Sequence, residues 1–168
     1  MADRFFPNDL PGYVEEAAAL SSSSSLHALL SLPYPALADR FLHAALQLKH
    51  KVVRETWEKQ RLRAAGDFTL YTGALGTALL LFRAYLVTRD RADLATCAEI
   101  VAACDGASAA VGEEFVTFIC GRAGVCALGA VVAKHAGDDA AVGRYLSSFN
   151  QIKISSKLPD ELLYGKAG

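Results

Sequence analysis

The sequence has no cysteines in a C-x-x-C spacing, no cluster of basic residues, no cleavable apolar leader and no uncharged stretch fit to cross a membrane. Each absence removes a class of function. The four cysteines, Cys97, Cys104, Cys120 and Cys126, sit among Ala, Val, Ile and Leu, where a free cysteine behaves as a small hydrophobe. A disulfide framework is therefore not expected, and a reducing compartment is. His135 lies nine residues beyond Cys126 within a helical run, which is not a zinc-ligand spacing. With a net charge of −1 and Lys and Arg dispersed, no nucleic-acid partner is expected. The densest basic group, Lys49 to Arg63, is interleaved with Glu55 and Glu58 and reads as a solvated helix face. The opening "MADRFFPNDLPGYVEE" places Asp3, Arg4 and Pro7 where a signal peptide needs an unbroken apolar core, so a cytosolic protein is expected.

What is present is apolar and helical. Hydrophobic residues make up 52% of the 168 residues, enough for the core of one domain of ordinary size. The greasiest segment, "TLYTGALGTALLLFRAYLV", is uncharged only from Phe68 to Phe82, with Asp67 before it and Arg83 after. That is short of the roughly 18–20 residues a span needs and favours a buried core helix. The longest uncharged run, 17–38, contains "SSSSS" and two prolines and is a poor span.

Residues 1–35 read as an extended lead-in punctuated by Pro7, Pro11, Pro33 and Pro35, with a short helix at Leu26–Leu30. From Ala36 to about Leu62 an amphipathic helix is expected. Its apolar stripe is Leu37, Phe41, Ala45, Leu48 and Val52, widened by Leu42, Leu46, Val53 and Trp57, with Lys49 among the charged positions on the other side. Then a pattern repeats: an apolar approach, two glycines three apart, an almost wholly apolar helix, and a two-sided helix. The first two-sided helix, 91–104, carries Leu94, Cys97, Ala98, Val101 and Cys104 on one face, and "DGASAAVGEE" after it reads as a loop.

The glycine pairs are Gly73–Gly76, Gly121–Gly124 and Gly165–Gly168, with starts 48 and 44 residues apart. Neither interval fits the common shorter helical solenoid repeats. An all-apolar helix must be surrounded by other elements, so the alternation predicts an inner layer of buried helices and an outer layer facing water. No Lys-Ser/Thr follows any G-x-x-G and no strand precedes it, so a phosphate loop is not expected. Glycine at each helix mouth is expected to permit a tight turn and to leave backbone N–H groups accessible.

Taken together, "RFFPN" (Arg4–Asn8), "YTGALG" (Tyr71–Gly76), "TFICGRAG" (Thr117–Gly124) and "ELLYGKAG" (Glu161–Gly168) resemble, in order and spacing, the eukaryotic lanthionine synthetase C-like family, and most closely a plant member. The resemblance implies an all-α fold. Specifically, it implies an incomplete double-layered α/α toroid with inner and outer helices alternating, similar to the six-hairpin glycosidase-like architecture. Residues 36–168 would form its N-terminal part, ending at the third glycine motif, with residues 1–35 as the lead-in. It implies chemistry in which zinc in a central cavity activates a thiol. Bacterial relatives add peptide cysteines to dehydrated Ser or Thr, and eukaryotic relatives bind glutathione and add it to dehydroamino acids. For plant relatives it also implies an alternative, a non-catalytic signalling module attached peripherally to the inner face of the plasma membrane.

The family's zinc ligands, two Cys and one His, lie outside these 168 residues. Cys97, Cys104, Cys120 and Cys126 do not match them, so no metal ligand is carried over and no zinc is expected on this chain alone. Two residues do match site positions. Arg4 would meet a carboxylate of glutathione, and Glu161, four residues before Gly165, would handle protons. Tyr71 and Tyr164 stand near the inner-helix mouths, where packing is their expected role. His27, His43, His50 and His135 match nothing in the family and read as surface or packing residues.

Overall fold

In the computed structural model, residues 26–59, 66–112 and 115–167 are described, and they contain no β-strand. The chain divides into two units, residues 1–44 and 45–168. A short helix α1, Leu26–Leu30, stands where it was expected. The long helix α2, Tyr34–Val53, starts after Pro33, so helix reaches into the segment read as an extended lead-in. α2 runs on as a π-helical turn, Arg54–Glu58, closed by the Lys59 N–H on the Arg54 carbonyl at 3.1 Å. Thr56 and Thr77 hydroxyls, 2.8 Å apart, tie this turn to the helix that follows.

That helix, α3 (Ala74–Thr88), begins a hairpin completed by α4 (Arg91–Ser108). A second hairpin is made by α5 (Arg122–Ala136) and α6 (Asp139–Asn150). The 48-residue interval between glycine motifs holds through the whole hairpin corner. α3 and α5 are both 15 residues long. Both end on a left-handed residue, Arg89 at φ 62° and Gly137 at φ 83°. Both are followed by an aspartate cap: the Asp90 carboxylate accepts from the Ala92 N–H and the Asp138 carboxylate from the Ala141 N–H, each at 2.9 Å. Each cap satisfies a donor that the helix start leaves open.

Along α3, residues 74, 75, 77, 78, 81, 82 and 85 are buried, and α5 is buried at 124–126, 128–130, 132 and 133. Such helices need neighbours on several sides, and they have them, because α4 packs against both α3 and α5. α4 and α6 are two-sided. Leu94, Cys97, Val101 and Cys104 of α4 are buried as expected, while α6 fully buries Tyr145 alone. The two hairpins fill the same register differently. Where the first carries Leu81 and Cys97, the second carries Gly129 and Tyr145, and a Cβ on Gly129 would lie 2.6 Å from the Tyr145 ring. Large and small have exchanged sides of the seam, which conserves volume.

Three expectations are corrected. α4 does not end at Cys104 but runs to Ser108. Asp105 and Ser108 in its last turn are held by Arg122, at 3.5 Å and 3.1 Å, and the Gly106 side faces open space. The stripe Leu37, Phe41, Ala45, Leu48, Val52 is not the buried side of α2, since Phe41, Ala45 and Leu48 are exposed. The buried line is Lys49, Val53 and Trp57, spaced four apart. Lys49, read as solvated, is therefore inside. Its ammonium donates to both Asp93 oxygens at 2.7 and 2.8 Å, and a buried ammonium needs such a partner.

Candidate functional site at the mouths of the glycine-led helices

Each glycine motif is entered through a loop of one design, and the first two lead into helices. A glycine of the motif lies over the carbonyl of the residue six positions earlier: Gly73 over Asp67, Gly76 over Leu70, Gly124 over Phe118 and Gly165 over Pro159. A Cβ at these positions would meet that oxygen closer than a carbon can approach. Gly73 and Gly121 have φ of −101° and −145°, which any residue adopts, so glycine is needed for space and not for a left-handed turn. The approach closes a hydrogen bond one residue on. The N–H groups of Ala74, Arg122 and Lys166 donate to the carbonyls of Asp67, Phe115 and Pro159 at 2.8, 2.9 and 2.8 Å. The expectation of accessible N–H groups is thus corrected at the residue that follows the first glycine of each motif. The loop's own carbonyls take those donors, and no anion cradle remains there.

The position four residues before the first glycine also recurs. Thr69, Thr117 and Glu161 hold it, and each side chain accepts the N–H three residues on. Thr69 takes Thr72 at 3.2 Å, Thr117 takes Cys120 at 3.1 Å, and Glu161 takes Tyr164. Glu161 accepts from Leu163 as well, at 2.9 Å. In the first loop Asp67 adds to the clamp. Partial burial pushes its carboxyl up, but hydrogen bonds from Thr69 and Thr72 outweigh that and hold it below the ordinary value. The loops are stitched in series: the Leu70 N–H donates to the Ile119 carbonyl at 2.8 Å, and the Thr117 hydroxyl to the Leu163 carbonyl at 2.6 Å.

The stitching brings Tyr71, Cys120, Glu161 and Tyr164 to one rim. Tyr71 and Tyr164 are exposed and Cys120 is buried beneath them. The Cys120 thiol beside the Tyr164 hydroxyl pushes that phenol above its ordinary value, and loss of solvent, Glu161 and Tyr71 add to the shift. Arg4 lies outside the described residues, as does the His27 side chain. His43 and His50 are exposed. His135 packs edge-on against Phe82 and Tyr85, with ring centres 5.1 and 5.8 Å away.

The cysteines do not fit a zinc site. All four are buried and free, and among the described residues no three His, Cys, Asp or Glu side chains converge on a common point. Burial pushes the Cys97 and Cys104 thiols up to about 12, and the Cys97 thiol donates to the Ala78 carbonyl at 3.1 Å. Burial raises Cys126 too. Held protonated by burial, Cys97, Cys104 and Cys126 are poor nucleophiles. A concavity of about 580 Å³ opens beside Lys49 and Asp93, with Lys51, Arg54 and Glu58 on its wall. Its charges are mixed and select no sign of ligand. Among the described residues no helix is long and apolar enough to cross a membrane.

With the loop geometry established, comparison with known proteins decides the family. A family model described as lanthionine synthetase C-like protein matches residues 64–168, which hold all three glycine motifs. The chain belongs to this family. It is similar to LanC-like protein GCL1 of Arabidopsis thaliana, 40% identical over 156 residues that cover 83% of this chain and 35% of that protein. It is also similar to the glutathione S-transferase LANCL1 of Danio rerio, 36% identical over 107 residues, 61% of this chain and 26% of that protein. The chain spans about a third of the length of the first relative and about a quarter of the second. The plant relative agrees with the plant-type resemblance of the motifs, and the packed helical hairpins agree with the all-α fold of this family.

The shared register of Thr69, Thr117 and Glu161 carries a test of its own. Threonine performs the capping in two of the three loops. Glu161→Thr, which keeps one of the two N–H acceptances, should lose less stability than Glu161→Ala, which should lower the unfolding free energy by about 1–2 kcal/mol. Urea unfolding of the two variants measures both. No loss in Glu161→Ala would show that Glu161 has no capping role.

Proposed function

We propose that this chain supplies the inner-helix mouths of an enzyme that joins a thiol, from glutathione or a peptide cysteine, to a dehydroamino acid. The observation that carries the reading is the stitched rim, which gathers Glu161, Tyr164 and Tyr71 in a chain of lanthionine synthetase C-like family. A relative whose name is glutathione S-transferase supports the choice of thiol. In such an addition the thiolate sulfur bonds to the β-carbon of the dehydroamino acid, the double-bond electrons move to the α-carbon, and a proton arrives there. Glu161 is our candidate for the group that handles that proton, because only Glu161 of the three positions brings a carboxyl to the rim. Arg4 is our candidate for holding a glutathione carboxylate through paired charge-assisted hydrogen bonds. When bound, zinc would lower the thiol pKa. The four cysteines here do not fit it, and we assign its ligands to residues outside these 168.

Calorimetric titration of glutathione into the chain tests the reading. Saturable binding is expected, weakened at least about tenfold by Arg4→Ala, the loss of one charge-assisted contact. Metal analysis of the same sample should find zinc far below one per chain. Absence of glutathione binding, or stoichiometric zinc, would each overturn the part of the assignment it measures.

A further inference from the structure

The hydrogen bonds between the three loops join into one series. The Leu70 N–H donates to the Ile119 carbonyl at 2.8 Å. On the same peptide unit, the Cys120 N–H donates to the Thr117 hydroxyl at 3.1 Å. That hydroxyl donates in turn to the Leu163 carbonyl at 2.6 Å. On the Leu163–Tyr164 peptide unit, the Tyr164 N–H donates to the Glu161 carboxylate. A peptide unit is planar, with its carbonyl and its N–H on opposite sides, so each link fixes the direction of the next. The series crosses all three loops, and every donor in it points toward Glu161.

Residue type decides where the series runs and where it ends. Thr69, Thr117 and Glu161 share a register but pass the bond on differently. The Thr69 hydroxyl accepts the Thr72 N–H and donates back into its own loop, to Asp67 at 2.7 Å. The Thr117 hydroxyl accepts within its own loop and donates across to the next. A hydroxyl can do both, whereas a carboxylate only accepts, so the series stops at Glu161. Thr117 is 4% exposed, so water competes poorly for either bond. The two N–H groups on the Glu161 carboxylate, those of Leu163 and Tyr164, lie on either side of the α-carbon of Leu163, the residue whose carbonyl Thr117 holds.

We propose that Thr117 is a positioning residue for Glu161. Held by the Thr117 hydroxyl, the Leu163–Tyr164 peptide aims its N–H at the carboxylate and so sets where that carboxylate points. Each carboxylate oxygen takes one of the two N–H groups, which leaves each with acceptor capacity for a substrate proton. Hydrogen bonds in series polarise one another, so loss of the Thr117 hydroxyl weakens the bond at Glu161 as well as misdirecting it. The assignment rests on the reading of Glu161 as the group that handles the proton.

Amide proton NMR of the chain tests the proposal. Thr117→Val keeps the branched side chain and removes the hydroxyl. The Tyr164 amide proton, deshielded by its bond to a carboxylate, should move upfield. That of Lys166, which donates to the Pro159 carbonyl in the same loop, should stay in place. Thr117→Ser restores a hydroxyl and should return the Tyr164 resonance to its parental position, which a role in packing alone does not require. The proposal is overturned by an unmoved Tyr164 resonance in Thr117→Val, by one that Thr117→Ser leaves displaced, or by a Lys166 resonance that moves as far. If Thr117→Val does not fold, Glu161→Ala carries the test from the other end. Removing the final acceptor should shift the Cys120 amide proton, two links upstream, and an unmoved Cys120 resonance overturns the proposal equally. None of these resonances needs a ligand. Absence of glutathione binding, which overturns the thiol-addition reading, therefore leaves this measurement intact.

Discussion

Asp93→Ala should lower the stability of the fold by about 3–5 kcal/mol, the cost of leaving a buried charge without its partner. Lys49 is only 5% exposed and spends two of its three donors on the Asp93 carboxylate. Nothing in an alanine replaces those acceptors, and water reaches the ammonium poorly. The reverse change, Lys49→Met, should cost less. Asp93 sits in the first turn of α4, where the partial positive charge of the helix start favours a carboxylate. The double variant Lys49→Met with Asp93→Leu should recover most of the loss, because apolar residues of similar volume often replace a buried pair at little cost. Chemical unfolding of the three variants measures the coupling as a double-mutant cycle. A loss below about 1 kcal/mol in Asp93→Ala, the range of a surface pair, would show that the pair is effectively solvated.

That ion pair also marks where reading the sequence fails. Periodicity places the glycine-led helices well, because an apolar segment bounded by Asp67 and Arg83 has few ways to satisfy its surface. Asp90 and Asp138, which cap the second helix of each hairpin, are ordinary cap residues, but periodicity alone does not single them out. It holds only in part on α2, where Val53 and Trp57 of the widened stripe are buried while Phe41, Ala45 and Leu48 are exposed. Which side of an amphipathic helix is covered depends on its neighbours. A lysine four residues from a valine and eight from a tryptophan gives no local sign of an aspartate 44 positions away.

The rim was legible only in part. The glycine spacing is visible, but its cause, a carbonyl six residues earlier, is a distance in space and leaves no pattern in residue type at the carbonyl's own position: Asp67, Leu70, Phe118 and Pro159 share nothing. The capping position is filled by Thr, Thr and Glu, which looks unrelated until the three N–H acceptances are compared. Glu161 stood out through resemblance; its equivalence with Thr69 and Thr117 emerges from the hydrogen bonds.

Alanine at Gly124 and at Gly143 should move stability in opposite directions. Both glycines lie within helices, α5 and α6, and in an open helix glycine to alanine gains up to about 1 kcal/mol through backbone entropy. Gly143 meets that condition, because a Cβ there would find nothing within 4 Å. At Gly124 a Cβ would be driven into the Phe118 carbonyl and set 3.5 Å from Leu75 Cδ2. Neither neighbour is free to yield. Leu75 is fully buried, and Phe118 lies in a loop pinned by Thr117 to Leu163 and by Ile119 to Leu70. The overpacking should cost about 3 kcal/mol, outweighing the entropic gain. It should also loosen the stitched rim, so that amide exchange quickens at Leu70, whose N–H is bonded to Ile119, before it quickens in α4. Equal stabilisation by both alanines would mean that the loops can retreat from the helix mouths. The close approach of glycine to carbonyl would then be no requirement of the fold.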